Sequence, residues 1–189
     1  MQAERRDQVP LGRVRIIGGS LRNSRLPVPA ANGLRPTPER VRETVFNWLA
    51  PVIAGARCLD LCAGTGALGI EALSRGAAAV SFVEREARLA QALRANLERL
   101  GVDGEVVAAD AQAWLQRVPR AYDIVFLDPP FALDLWGVLA RQLETGGWLA
   151  AGAMVYLEWP GPAIPGLPTN WQVHREGRAG VVRYALMKA

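Results

Sequence analysis

The sequence predicts an α/β domain, a mostly parallel seven-stranded sheet with helices on both faces, preceded by a small basic N-terminal extension. Three observations predict it. From Arg57 onward, short apolar runs alternate with amphipathic helical segments, the pattern of parallel strands joined by right-handed crossovers. A glycine turn, Gly64-Thr65-Gly66-Ala67-Leu68-Gly69, joins the first of these strands to its helix. Acids then follow four successive strands: Asp60, Glu84, Asp110 and Asp128. In open sheets of this kind ligands bind beyond the carboxyl ends of the strands.

The elements follow in order. Residues 1–36 are read as the extension, with short strands over 14–19 and 22–28, each stopped by Gly-Gly or Pro, forming a small hairpin. Residues 37–189 are read as the main domain. Thr37-Pro38-Glu39 is a helix start, with a hydroxyl cap, proline at the first helical position and an acid in the first turn. Val41, Val45, Trp48 and Leu49 recur at helical spacing up to Pro51. Strands are expected at 58–61, 80–83, 106–108 and 124–127. Helices are expected at 66–74, 86–100, 111–116 and 133–144, with Leu89, Leu93, Leu97 and Leu100 on one stripe and Gly101 beyond its end. Residues 148–151 and 155–159 read as strand pieces, and 171–175 with 181–187 as a closing hairpin around 177–180.

Composition limits the function classes. Half of the 189 residues are apolar, but the unbroken apolar runs are short and the N-terminus carries Glu4, Arg5, Arg6 and Asp7. Neither a membrane span nor a secretory signal is expected, and the compartment is read as the cytoplasm. Cys58 and Cys62 stand four apart on one strand, roughly 13 Å between Cα atoms, beyond disulfide reach. With a single histidine, His174, a zinc site of usual spacing is unsupported and no metal is expected. Residues 1–42 hold nine arginines against Glu4, Asp7 and Glu39, leaving 13 basic and 15 acidic groups in the remainder. A basic arm on a near-neutral domain is the footprint of a nucleic-acid binder. Arg13, Arg15, Arg22, Arg25, Arg35 and Arg42 are its candidates. Since 21 of the 22 basic residues are arginine, compositional bias is the competing account.

The chemistry centres on Asp128-Pro129-Pro130-Phe131 at the end of the fourth strand. Two prolines fix φ and stiffen the loop. A carboxylate, the rigid Pro129 carbonyl and the Phe131 ring together suit a flat base bearing an exocyclic amine. The competing account is that Asp-Pro-Pro ends a strand and Phe131 enters the core. Gly64, Gly66 and Gly69 also fit the dinucleotide pattern, so a nicotinamide or flavin oxidoreductase stands as an alternative. Asp60 argues against it, because a carboxylate there repels a pyrophosphate and suits the cationic amino group of S-adenosylmethionine. Glu84 is placed to take a ribose hydroxyl pair, and Asp110 with the Ala111 backbone an adenine edge.

The run Asp60 to Ala77, the segment Arg35-Pro-Thr-Pro-Glu-Arg-Val-Arg-Glu-Thr44 with Phe46-Asn47-Trp48, and Asp128-Pro-Pro-Phe131 together resemble the bacterial small-subunit ribosomal RNA guanine-N2 methyltransferases of the RsmD family. The resemblance covers roughly Arg13 to the C-terminus. It implies a Rossmann-like class I methyltransferase fold, S-adenosylmethionine as donor, and N2 methylation of one guanine of 16S rRNA in an assembled or assembling small subunit; a monomer is expected. By motif position, Asp60, Gly64, Thr65, Gly66, Glu84, Asp110 and Ala111 form the cofactor site, and Asp128, Pro129 and Phe131 the base site. Cys62 replaces an expected bulky apolar residue at a position read as facing the core. Asp-Pro-Pro-Phe also serves adenine N6 and cytosine N4, so base identity rests on the resemblance. A relative methylates protein glutamine with Asn in place of this Asp, and the basic arm favours RNA. A non-catalytic RNA-binding protein on the same scaffold is the remaining alternative, opposed by the intact acids.

Overall fold

A computed structural model describes residues 12–29 and 37–189. The main sheet contains β3 (Arg57–Asp60), β4 (Ala79–Glu84), β5 (Glu105–Ala108), β6 (Tyr122–Leu127), β7 (Leu149–Pro160), β8 (Gln172–Ala179) and β9 (Val182–Lys188). Their order is β5-β4-β3-β6-β7-β9-β8. The first five strands pair in parallel, and β9 pairs antiparallel with both β7 and β8. The chain runs outward from β3 to β5 and resumes on the other side at β6, so the order reverses between β3 and β6. That reversal opens a crevice at the carboxyl ends.

One face is covered by α1 (Glu39–Leu49), α2 (Ala67–Ser74) and α3 (Ala87–Leu100), packed on Phe82, Ile124, Phe126 and Tyr156; α4 (Ala111–Trp114) and α5 (Trp136–Thr145) cover the other, over Leu59, Val125, Leu127 and Leu157. Consecutive strand residues thus feed opposite cores, as strand alternation requires. The mostly parallel seven-stranded sheet with helices on both faces is the expected fold. Among the described residues, no helix is long and apolar enough to cross a membrane.

Several boundaries differ from the sequence reading. The residues expected as two strand pieces form one strand, β7, which carries Gly152 at φ +71 through an irregular register with β6. Gly177 does not turn the last hairpin but lies within β8 opposite Tyr184; a Cβ there would stand 2.4 Å from the tyrosine ring. The turn falls at Gly180-Val181 instead. Before α5, Phe131–Leu133 forms a 3-10 turn ended by Asp134 at φ +46.

The extension is a hairpin, β1 (Gly12–Arg15) paired antiparallel with β2 (Arg25–Val28). Val14, Ile16, Leu26 and Val28 enter the same core as α1 and α2. The expected division at 36/37 lies against residues 30–36, outside the described residues, as does Arg35.

What docks the hairpin is Glu71 of α2, fully buried. Its carboxylate accepts from Ile17 N and Gly18 N, both at 2.8 Å, and from Arg75 Nε at 2.8 Å. Ser74, one turn on, donates to Gly18 O and accepts from Leu21 N. Arg42, 1% exposed, donates to Thr37 O and Arg15 O, and its Nη1 lies 3.6 Å from Glu71, an ionic contact beyond hydrogen-bond length. Arg42 is therefore no surface RNA ligand: it faces inward from α1 as the counter-charge of Glu71. Removing one member of a buried ion pair costs about 3 to 5 kcal/mol. Glu71→Ala, which strands Arg42 and two backbone donors, is expected to lose that much in urea unfolding. It should also expose the hairpin to limited proteolysis.

Candidate active site

The carboxyl edge of the sheet gathers the acids. Asp60 ends β3 and is 3% exposed, with its Oδ2 accepting from Gly69 N at 3.0 Å. Burial, and then nearby Glu84, push its carboxyl up to about 7 against the pull of that hydrogen bond. Glu84 ends β4 and holds the glycine turn: its two oxygens accept from Gly64 N at 2.8 Å and Glu86 N at 2.7 Å. Each oxygen keeps a second lone pair, so acceptance from a diol remains open to it. Asp110 stands beyond the end of β5 and caps α4, accepting from Ala113 N at 3.1 Å, with Ala111 buried behind it.

The turn between β3 and α2 is shaped by glycine. Gly66 sits at φ +74, and a Cβ there would lie 2.3 Å from Leu93 of α3; a side chain would be both strained and obstructed. Thr65 beside it is buried. Cys62 is half-buried, and the charges that raise its thiol, after burial, are Asp128, Asp60, Glu84 and Asp110 in that order. The position read as facing only the core thus also looks into the acid cluster. All four acids act on it, and no cation among the described residues does.

At the end of β6, Asp128 is half-buried and its carboxyl is raised well above the usual carboxylate range by burial, then by Glu158, then by Asp60. Pro129 is buried, and Pro130 O accepts from Leu133 N at 3.0 Å, fixing the loop. Phe131 is 38% exposed, with its ring tilted 5.7 Å from that of Trp136. It does not enter the core and is left partly open to solvent.

Three participants escaped the sequence reading. Glu158, 6% exposed near the end of β7, accepts from the Tyr156 hydroxyl at 2.6 Å and from the Thr37 side chain. Thr37 is thus no helix cap: α1 begins after Pro38 without a side-chain cap, and the hydroxyl turns to Glu158. The available signal was an acid interrupting the apolar run 155–159, on the strand next to Asp128.

Of the six candidate arginines, Arg13, Arg22 and Arg25 are exposed. Arg15 is exposed but paired with Glu39 at 2.7 Å, Arg42 is buried, and Arg35 lies outside the described residues. Among the described residues, no group of three His, Cys, Asp or Glu side chains could hold a metal ion.

The chain is similar to known proteins over nearly its whole length. It is 48% identical over 177 residues to the Ribosomal RNA small subunit methyltransferase D of Escherichia coli (strain K12), spanning 93% of this chain and 89% of that protein. It is 41% identical over 181 residues to the protein of the same name from Haemophilus influenzae, spanning 93% of each. The solved structure of the Escherichia coli protein yhhF superposes with a TM-score of 0.87 at 46% identity, over 94% of this chain and 98% of that one. The model of the family described as Conserved hypothetical protein 95 matches residues 14–188, and the chain belongs to that family, the RsmD-type methyltransferases its motifs resemble.

Proposed function

We propose that the protein methylates the exocyclic N2 of one guanine in 16S rRNA, using S-adenosylmethionine, as a monomer acting in the cytoplasm on an assembled or assembling small subunit. The observation that carries this reading is the set of carboxylates at the switch point, with no cation among the described residues acting on Cys62 at its centre, bordered by a stiff Pro-Pro turn and an exposed aromatic ring. The relatives from Escherichia coli and Haemophilus influenzae, by their names, point to small-subunit ribosomal RNA as substrate class; guanine N2 rests on the motif resemblance. Incubating the protein with labelled S-adenosylmethionine and small subunits lacking the modification, then mapping the label, tests the reading. Label on N2 of a single guanine is expected, and label on adenine N6 or cytosine N4 would replace it.

The residues present fit the cofactor. An acidic pocket attracts an ammonium and a sulfonium and repels a pyrophosphate, so Asp60 would take the amino group, Glu84 the ribose, and Asp110 with the Ala111 backbone the adenine. When bound, the cofactor supplies an electrophilic methyl group. The chain then orients the nucleophile. A guanine amine is a weak nucleophile because its lone pair is delocalised into the ring. Asp128 and the Pro129 carbonyl, by accepting its two N–H bonds, make the nitrogen more tetrahedral and aim the lone pair. Phe131 stacks on the flipped base, a contact of about 1 to 3 kcal/mol. No strong base is needed, since the methylated ammonium is acidic enough to release its proton.

Three outcomes follow. Asp60 is raised in the free protein and must ionise to hold an ammonium. Cofactor affinity should therefore rise by up to about tenfold per pH unit below 7, level off above it, and release protons on binding. Calorimetry in buffers of different ionisation enthalpy reads this, and Asp60→Asn should remove the dependence. Asp128→Ala should slow single-turnover methyl transfer by on the order of 10² to 10³, with Asp128→Asn between it and wild type. Cofactor affinity should change by less than about threefold, about 0.7 kcal/mol; an equal loss of affinity and rate would place Asp128 in the cofactor pocket. Replacing Arg22 and Arg25 together by Ala should flatten the slope of log affinity for RNA against log salt by up to about two, one for each phosphate no longer neutralised, and leave cofactor affinity alone.

A further inference from the structure

The Asp-Pro-Pro-Phe turn orients an amine but does not choose among guanine, adenine and cytosine. A second acceptor beside it could. In guanine two ring nitrogens flank the amine: N3 carries a lone pair, and N1 carries a hydrogen and donates. In adenine and cytosine the ring nitrogen next to the amine carries a lone pair and accepts. A fixed carboxylate at that point would bind the first and repel the other two.

Glu158 has the required placement. Leu127 of β6 is in register with Leu157 of β7, so Asp128 and Glu158 follow on adjacent parallel strands, whose backbones are about 4.8 Å apart. Glu158 is the group that acts most strongly on Asp128 after burial itself. Its carboxylate is fixed by the Tyr156 hydroxyl at 2.6 Å and by Thr37, and its backbone carbonyl by Trp136 Nε1 at 2.7 Å. Trp136 is the ring against which Phe131 leans. Glu158 is thus tied from both sides to the groups assigned to the base. It is 6% exposed, and among the described residues no cation acts on it. Burying a carboxylate is costly, and carboxyls raised by burial beside a cleft cluster at functional sites. Tyr156 and Thr37 take up one lone pair each of about four, so acceptor capacity remains.

We infer that Glu158 determines base specificity, its carboxylate accepting the N1–H of the target guanine while Asp128 and the Pro129 carbonyl accept from the N2 amine. This rests on the guanine-N2 reading above. It assigns Tyr156 and Thr37 as positioning residues that hold the carboxylate in its acceptor orientation.

The test compares kcat/KM on small subunits reconstituted with guanine or with 2-aminopurine at the methylated position. 2-Aminopurine keeps the N2 amine but presents a lone pair at N1. The wild-type protein should prefer guanine by on the order of 10² to 10⁴, as a site built for a donor rejects its absence. Glu158→Gln, whose amide can donate to N1, should narrow that preference to under about tenfold. Should this variant not fold, Glu158→Asp, which withdraws the carboxylate by one methylene, takes its place and should also narrow the ratio. Equal rates on the two bases by wild type, or an unchanged preference in the folded variant, would overturn the assignment of Glu158. The wild-type product from guanine distinguishes the two readings, since a methyl group anywhere but N2 sinks the guanine-N2 reaction itself.

Discussion

The structure depends on a crowding of carboxylates that the parallel topology imposes. Five strands end on one edge, and Asp60, Glu84, Asp110, Asp128 and Glu158 stand at or just before the loops that leave it. Burial raises Asp60, Asp128 and Glu158, and their neighbours raise the first two further. Partial relief comes from backbone donors: Gly64 N and Glu86 N on Glu84, Gly69 N on Asp60, Ala113 N on Asp110. These donors lie on or beside the glycine turn and at helix starts, where N–H groups lack intrahelical partners. Fixed dipoles thus hold acids in place without neutralising them. Among the described residues no cation neutralises them, which is the electrostatic ground of the cofactor and base roles proposed for the site.

Glu71 plays the opposite part on the same helix. There the buried carboxylate is fully engaged, by Arg42, Arg75 and two hairpin amides. The helix that carries it begins at the glycine turn, so hairpin and glycine turn share one support. The division of the basic arm follows from this geometry. Strand alternation sends Val14 and Leu26 inward and Arg13, Arg15 and Arg25 outward. Arg15 and Arg25 are directly paired across the strands, an unfavourable like-charge contact that Glu39 relieves by binding Arg15.

By itself, the sequence determined the alternation of strands and helices, the glycine turn and the four strand-end acids Asp60, Glu84, Asp110 and Asp128, because those signals are local: short apolar runs, helical stripes and turn residues specify elements wherever they occur. It also placed the Asp-Pro-Pro-Phe turn at a strand end. Only the tertiary structure decided which charges face inward and which strand lies beside which. Arg42 reads as one more cation of a basic arm until α2 brings Glu71 against it. Thr37 reads as a cap until β7 brings Glu158 within its reach. Glu158 reads as a lone acid in a strand until the register of β6 with β7 sets it beside Asp128. Each of these roles is fixed by a partner from 29 to 121 positions away in the chain, and pairing at such separations is a property of the assembled sheet and its packed helices, which no local pattern encodes.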